Sequence, residues 1–249
     1  MIINLVVMKK VLNYFNPLFC GLFLILAMNC KKEDNLESTT PIDSDGNTYR
    51  LAKIGTQYWM IDDLKTTKYN DGTPIPYIID NGQWGIVTTG AYCYYENDPA
   101  YKDYFGILYN WNAVNSGKLC PRGWHVPSKN EWMTLENYLI ENGFNYDGSK
   151  SRNKIAKSLS APTDWDQSAV LGSPGNDLTK NNVTDFTAYP GGYRYSDGSH
   201  RAFQSGFWWS STEYNSTNSW YMNIDYDSPE TFMLQAAKHN GCSIRCVKD

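Results

Sequence analysis

Hydrolytic catalysis needs a nucleophile with a base beside it, or two carboxylates facing one bond. The chain has three histidines, His125, His200 and His239, and no two stand three or four residues apart, the spacing that would aim a pair of rings at one metal. Three short acidic groups, Glu96-Asn97-Asp98, Asp164-Trp165-Asp166 and Asp225-Tyr226-Asp227, carry oxygens that suit calcium. They lack the Glu-Pro-Asn and Trp-Asn-Asp triplets of calcium-dependent sugar chelation, so they read as solvated loop carboxylates. Asp43-Ser44-Asp45-Gly46-Asn47 starts like a calcium loop, but Ile54 stands at its twelfth position where a bidentate glutamate belongs, and a β-turn is the better reading. His125, between Trp124 and Val126, reads as structural. Neither a catalytic residue nor a bound metal or cofactor is expected.

What the chain offers instead is aromatic surface. Trp 9, Tyr 19 and Phe 9 make up 15% of its residues, and many fall in turn-rich segments beside Asn and Asp. Exposed rings next to amides and carboxylates are what a glycan or a protein surface uses. Tyr195, Trp208, Tyr214, Trp220 and Asp225 are the expected ligand-binding set. Trp208 and Trp209 are consecutive in a strand-like run and must face opposite ways. One of the two is therefore expected to be free for a surface.

Six cysteines are present. Cys20 and Cys30 belong to the N-terminal segment, which leaves Cys93, Cys120, Cys242 and Cys246. The last two lie in the alternating run Cys-Ser-Ile-Arg-Cys-Val, which reads as a terminal strand. Four residues of strand span about 13 Å, and a disulfide needs Cα atoms within about 7 Å, so these two cannot bond each other. Two connectivities remain. Cys120–Cys246 with Cys93–Cys242 is preferred, because it ties the last strand to the entry of the main helix.

That helix is the strongest element in the sequence. In CPRGWHVPSKNEW (120–132), Ser128 and Glu131 have capping-box spacing, and the spacing predicts a helix over 129–142. Trp132, Leu135, Leu139 and Ile140 share one face, and Gly143 is the stop. A second helix is expected over 151–160, ended by Pro162. Hairpins are expected about Gly55-Thr56 and at Ser196-Asp197-Gly198. Runs at 207–211, 219–224, 231–235 and 242–247 read as successive antiparallel strands. Gly 19 and Pro 11 mark a turn-rich chain. A formal charge of -4 with no basic stripe excludes nucleic acid as the expected partner.

The first 29 residues read as a signal peptide, with Met8-Lys9-Lys10 as the natural start and an apolar run over 18–28. The run is too short for a comfortable membrane span. It ends at Leu26-Ala27-Met28-Asn29-Cys30, which resembles a lipobox with Cys30 as the lipidated residue. Lys31-Lys32-Glu33-Asp34 resembles the charged export signal of surface lipoproteins, and 30–42 reads as a tether to a domain over 43–249. The expected location is the cell envelope, on an outer-membrane lipid anchor and at the cell surface.

Several stretches together resemble one family, the Fibrobacter succinogenes major paralogous domain. They are DGNTYRLAKIGTQYWMIDDLKTTKYNDGTPIP (45–76), GAYCYYEND, FGILYNW, GKLCPRGWHVPSKNEW, FTAYPGGYR, FWWSSTEY and CSIRCVKD, in one collinear order. Tyr189, Phe105 and Cys242 depart from the residues usual at their places. The resemblance implies an α+β, C-type lectin-like fold of short antiparallel strands with two helices and long loops, and no established activity. The piece around Trp124 is also similar to formylglycine-generating sulfatase-modifying domains. Three functions follow as expectations: a surface binding or adhesion module for polysaccharide or a partner protein, a copper-dependent oxidase using a pair of thiols, or an envelope protein whose role is structural.

Overall fold

The computed structural model describes residues 40–198, 200–201 and 204–249. The expected signal peptide, Cys30 and most of the tether lie outside the described residues. In chain order the strands are β1 (Leu51–Ile54), β2 (Gln57–Met60), β3 (Tyr92–Cys93), β4 (Leu108–Asn110), β5 (Trp124–His125), β6 (Tyr193–Arg194), β7 (His200–Arg201), β8 (Ser205–Glu213), β9 (Asn218–Asp225), β10 (Thr231–Ala237), β11 (Gly241–Cys242) and β12 (Val247–Lys248). The helices are α1 (Asn81–Ile86), α2 (Lys102–Phe105), α3 (Trp111–Asn115), α4 (Lys129–Glu141) and α5 (Ala156–Leu159).

The strands form three separate antiparallel sheets, ordered β1-β2-β12-β5, β10-β9-β8 and β3-β4-β11-β6-β7. This corrects the expected α+β, C-type lectin-like arrangement with two helices: sheets dominate, and α4 is the one helix longer than six residues among the described residues. The second expected helix shrinks to the four residues of α5. Arg152 has φ +60, which no right-handed helix admits. The side chain of Asn153 leaves the helical path to hydrogen-bond both Oγ1 and the carbonyl of Thr231 at the start of β10.

Helix α4 forms where its cap directs. Ser128 Oγ accepts from the Glu131 N–H at 3.3 Å, and the Glu131 carboxylate accepts from the Ser128 N–H at 2.8 Å. Its buried face is Trp132, Leu135 and Leu139, and burying each side chain contributes about 1.5–3 kcal/mol. The β1–β2 turn falls on Gly55, where a Cβ would lie 2.8 Å from the ring of Tyr138 on α4. Glycine is what lets the hairpin lie on the helix there.

The sheet β8–β10 divides the core. One side carries Trp59, Trp132, Phe186, Trp208 and Met222, and the other Tyr109, Trp111, Trp209 and Ile244. The segment expected as a single strand over 242–247 is instead a crossing between sheets. It contributes β11 to one sheet and β12 to another, and its middle bonds to neighbours on both flanks: Ser243 N–H to Phe207 O, Leu64 N–H to Ile244 O and Met60 N–H to Cys246 O.

A buried knot ties four distant stretches at that crossing. Asp63 Oδ1 accepts from Arg245 Nε at 2.9 Å, from Arg245 Nη2 at 2.7 Å and from Trp208 Nε1 at 2.9 Å. Arg245 also donates to the carbonyls of Phe186 and Thr187. Both charged side chains are buried, at 0% and 3% exposure. Burial pushes the Asp63 carboxyl up, and the Arg245 guanidinium and the Trp208 N–H pull it back. Among the described residues no helix is long and apolar enough to cross a membrane.

Candidate functional site

The expected ligand-binding residues are split by the β8–β9 hairpin. Along β9, Tyr221, Asn223 and Asp225 alternate with Trp220, Met222 and Ile224, and period two sends the two sets to opposite faces. On the first face Tyr193 packs on Tyr195 at 4.2 Å between ring centroids and on Phe207 at 4.3 Å, and Phe207 packs on Tyr221 at 5.6 Å. The neighbouring strand extends this band, because Leu234 stands opposite Tyr221 and Phe232 opposite Asn223. Tyr193, Tyr195, Tyr221 and Phe232 are half-buried and Leu234 is exposed.

Asp225 closes one end of the band, accepting from the Ser205 hydroxyl and, at 3.4 Å, from Asn223 Nδ2. Burial, and then the neighbouring Cys242, Asp225 and Tyr195, push the Tyr221 hydroxyl up to about 12. Burial and the Tyr195 hydroxyl raise that of Tyr193 as well. These phenols stay neutral through the physiological range and can donate as well as accept hydrogen bonds.

Of the expected ligand-binding residues, Tyr195 and Asp225 lie on one face, and the other three do not share it. Trp208 is a correction: it is buried at 1% exposure, and Trp209 is buried as well, so neither is free for a surface. They do face opposite ways, but the sheet is covered on both sides. Trp208 donates to Asp63, and Trp209 to the Tyr109 carbonyl at 2.9 Å. Tyr214 and Trp220 sit at the far tip of the hairpin, ring to ring at 5.2 Å, with Lys129 Nζ 3.4 Å from the Trp220 centroid. Tyr221, Phe207 and Leu234 were missed. The alternation Tyr221-x-Asn223-x-Asp225 was the signal that placed the first of them beside Asp225.

The cysteines are resolved by register. Cys120 and Cys246 form a disulfide, with Cα atoms 6.1 Å apart. The expected Cys93–Cys242 bond is absent, and both are buried free thiols. Strand β4 lies between β3 and β11. Cys242 and Tyr92 both pair with Tyr109, while Cys93 pairs with Leu108, so the two sulfurs sit two strands apart on opposite sheet faces. The same geometry keeps them from sharing one metal ion. Burial pushes the Cys93 thiol up to about 12, opposed by Arg194, and raises Cys242 well above the ordinary thiol range.

His125 lies between two carboxylates. Its Nε2 is 2.7 Å from Glu131 Oε1 and its Nδ1 is 2.6 Å from Asp249 Oδ1. The Ser128 hydroxyl donates to Glu131 Oε2 at 2.8 Å. With both ring nitrogens engaged and the hydroxyl committed to glutamate, the cluster is a clamp and not a nucleophile beside a base. Among the described residues no three His, Cys, Asp or Glu side chains are grouped to hold a metal ion.

The clamp has a pH signature. Burial disfavours charging the ring, but hydrogen bonds to Asp249 and Glu131 outweigh it and hold the His125 pKa above its ordinary 6.5. Burial likewise opposes ionised Glu131, and the Ser128 N–H and hydroxyl with His125 outweigh it, holding the pKa below its ordinary 4.5. The histidine contribution is fully present below 6.5 and is lost as pH rises through the raised value. The glutamate contribution is present above 4.5 and is lost as pH falls through the lowered one. The groups are part-exposed, so each contributes at most about 1 kcal/mol. His125→Gln is expected to remove the stability loss that sets in as pH rises above 6.5 and to shrink the acid limb only in part, because the Ser128 N–H and hydroxyl still hold Glu131, as read by urea unfolding between pH 4 and 9.

Together these features define a disulfide-fastened, sheet-dominated domain with an aromatic face and a histidine clamp. The chain belongs to the Fibrobacter succinogenes major domain family, whose model matches residues 52–248. No curated protein and no solved structure matches it.

Proposed function

We propose that the chain is a non-catalytic binding module, displayed at the cell surface on a lipid at Cys30, and that its ligand is an envelope or extracellular polysaccharide. The observation that carries this reading is the band of half-buried rings Tyr195, Tyr193 and Tyr221 laid over the buried Phe207, with Asp225 at one end. Aromatic rings take the C–H faces of pyranoses, and the half-buried Asp225 carboxylate takes their hydroxyls, with buried Asn223 holding it in place. The anchor rests on the sequence around Cys30. The buried thiols, held apart by β4, weigh against the copper oxidase.

Affinity electrophoresis of the full chain through soluble polysaccharides tests the proposal. Retardation by at least one polysaccharide is expected, weakened about fivefold or more by Tyr195→Ala or Tyr221→Ala, as for an aromatic truncated within an interface. Equal mobility in every gel, or retardation that both variants leave unchanged, would overturn it.

A further inference from the structure

A cleft of about 340 Å³ opens between the loop that follows α4 and the loop 171–183. Phe144 on its wall packs against the Trp132 and Trp208 side of the core, away from the tyrosine band. Its size falls at the lower end of small-molecule sites, about 300–1,000 Å³. Three apolar side chains ring its mouth with unusual exposure: Tyr146 at 43%, Leu171 at 71% and Val183 at 61%.

The wall is built around a buried cation. Lys157 is 6% exposed, and its ammonium donates to the carbonyls of Ser173, Asn176 and Asp177 and to Asn181 Oδ1. Burying an ammonium among neutral acceptors is costly unless its hydrogen bonds are met, and here the loop itself wraps round it to meet them. This cage holds Asp177 at φ +52, a conformation an unrestrained aspartate seldom adopts. Gly172 completes the fit: a Cβ there would lie 2.0 Å from the Tyr146 ring, so only glycine lets the loop close on it.

Held this way, Asp177 and Lys180 form a pair at 3.0 Å, with 42% and 75% of their side chains exposed, beside the apolar mouth. A carboxylate next to an ammonium accepts from one hydroxyl and donates to its neighbour, which is how a vicinal diol is recognised. The Lys157 hydrogens are already committed and Asp177 repels anions, so the mouth suits a neutral ligand. We infer that this cleft is a second site, for a saccharide end of one or two pyranose rings, whose hydroxyl edge meets Asp177 and Lys180 and whose C–H face meets Tyr146, Leu171 and Val183. It goes beyond the tyrosine band, lies on the other side of the sheet and stands or falls separately.

The test is hydrogen–deuterium exchange and calorimetry on the full chain in nanodiscs, titrated with the methyl glycosides of glucose, galactose, mannose, xylose and N-acetylglucosamine. At least one should slow exchange over 143–146 and 171–183 in a saturable way. Leu171→Ser and Asp177→Asn should each weaken that binding about tenfold, and Tyr195→Ala should leave it unchanged. Val183→Ser, at another exposed rim position, serves if either variant misfolds. No saturable protection with any of the five, protection untouched by the cleft variants, or protection abolished by Tyr195→Ala would each overturn the inference. The last outcome would move the sugar to the tyrosine band and leave the proposed function standing.

Discussion

Replacing Arg245 by methionine is expected to cost about 3–5 kcal/mol, the range for removing one partner of a buried ion pair, and to lower the melting temperature by roughly 8–15 °C. The guanidinium is the common donor to Asp63, Phe186 and Thr187. Without it the Asp63 carboxylate keeps a hydrogen bond from Trp208 and no buried counter-charge at contact distance. The 186–187 loop also loses the donor that holds Thr187 at φ +55, an outlying conformation for a β-branched residue. The charge predicts a pH dependence. Burial already holds the Asp63 pKa above its ordinary 3.8 with Arg245 beside it, and removing the cation, which pulls it down, raises it further, so in the variant more stability is lost as pH rises from 3.8 through the folded-state value. The deficit of Arg245→Met against the parent should therefore be smaller at pH 4 than at pH 7. Adding Asp63→Asn should recover part of the loss at pH 7, because a neutral side chain still accepts from Trp208. Urea unfolding followed by tryptophan fluorescence reads all three. A pH-independent deficit, or a double variant no better than the single one, would remove the ion pair from the explanation.

How far the sequence discloses this molecule depends on the range of the interaction. The α4 helix was legible because its determinants are local: Ser128 and Glu131 make both capping-box bonds, and Trp132, Leu135 and Leu139 are the buried face. The hairpin at Gly55 was legible from turn chemistry; the Cys120–Cys246 bond was only the preferred one of two connectivities, reached by way of a strand over 242–247 that the fold breaks into β11 and β12. Trp208 misled because alternation states that two faces differ, and says nothing of whether something covers both. Cys93 and Cys242 misled because their separation is set by β4 passing between them, a pairing fixed by residues far away in the chain. The second helix failed at Arg152 and Asn153, where one side chain serves the start of β10 instead of its own segment. The cleft left no local trace at all. Its walls come from two loops, and its key interaction is a lysine reaching carbonyls 16–20 residues ahead.

Removing the disulfide through Cys120→Ser with Cys246→Ser is expected to cost about 4–5 kcal/mol and to lower the melting temperature by roughly 10–15 °C, because the bond closes a loop with a sequence separation of 126. The effect should be concentrated at the end of the chain. Strand β12 has two residues and sits inside its sheet between β2 and β5, held there by three residue pairings: Val247 with Trp59, Val247 with His125 and Lys248 with Trp124. Cys246 follows directly on the crossing and its carbonyl accepts from Met60, so the covalent link fixes β12 at the place where its own pairing is shortest. In the double variant the amides of Met60 and Leu64, which bond to Cys246 and Ile244, should exchange with solvent earlier than those of β8 and β9. Cys93→Ala with Cys242→Ala is the control. It removes two buried thiols that close no loop, so it should cost markedly less and leave the Met60 amide protected. Peptide mapping without reductant should find 120 linked to 246, with Cys93 and Cys242 alkylated only after unfolding. A linked 93–242 peptide would contradict the β3-β4-β11 register directly. Equal destabilisation by the two double variants would mean that burial of sulfur, and not the closed loop, is what the cysteines contribute.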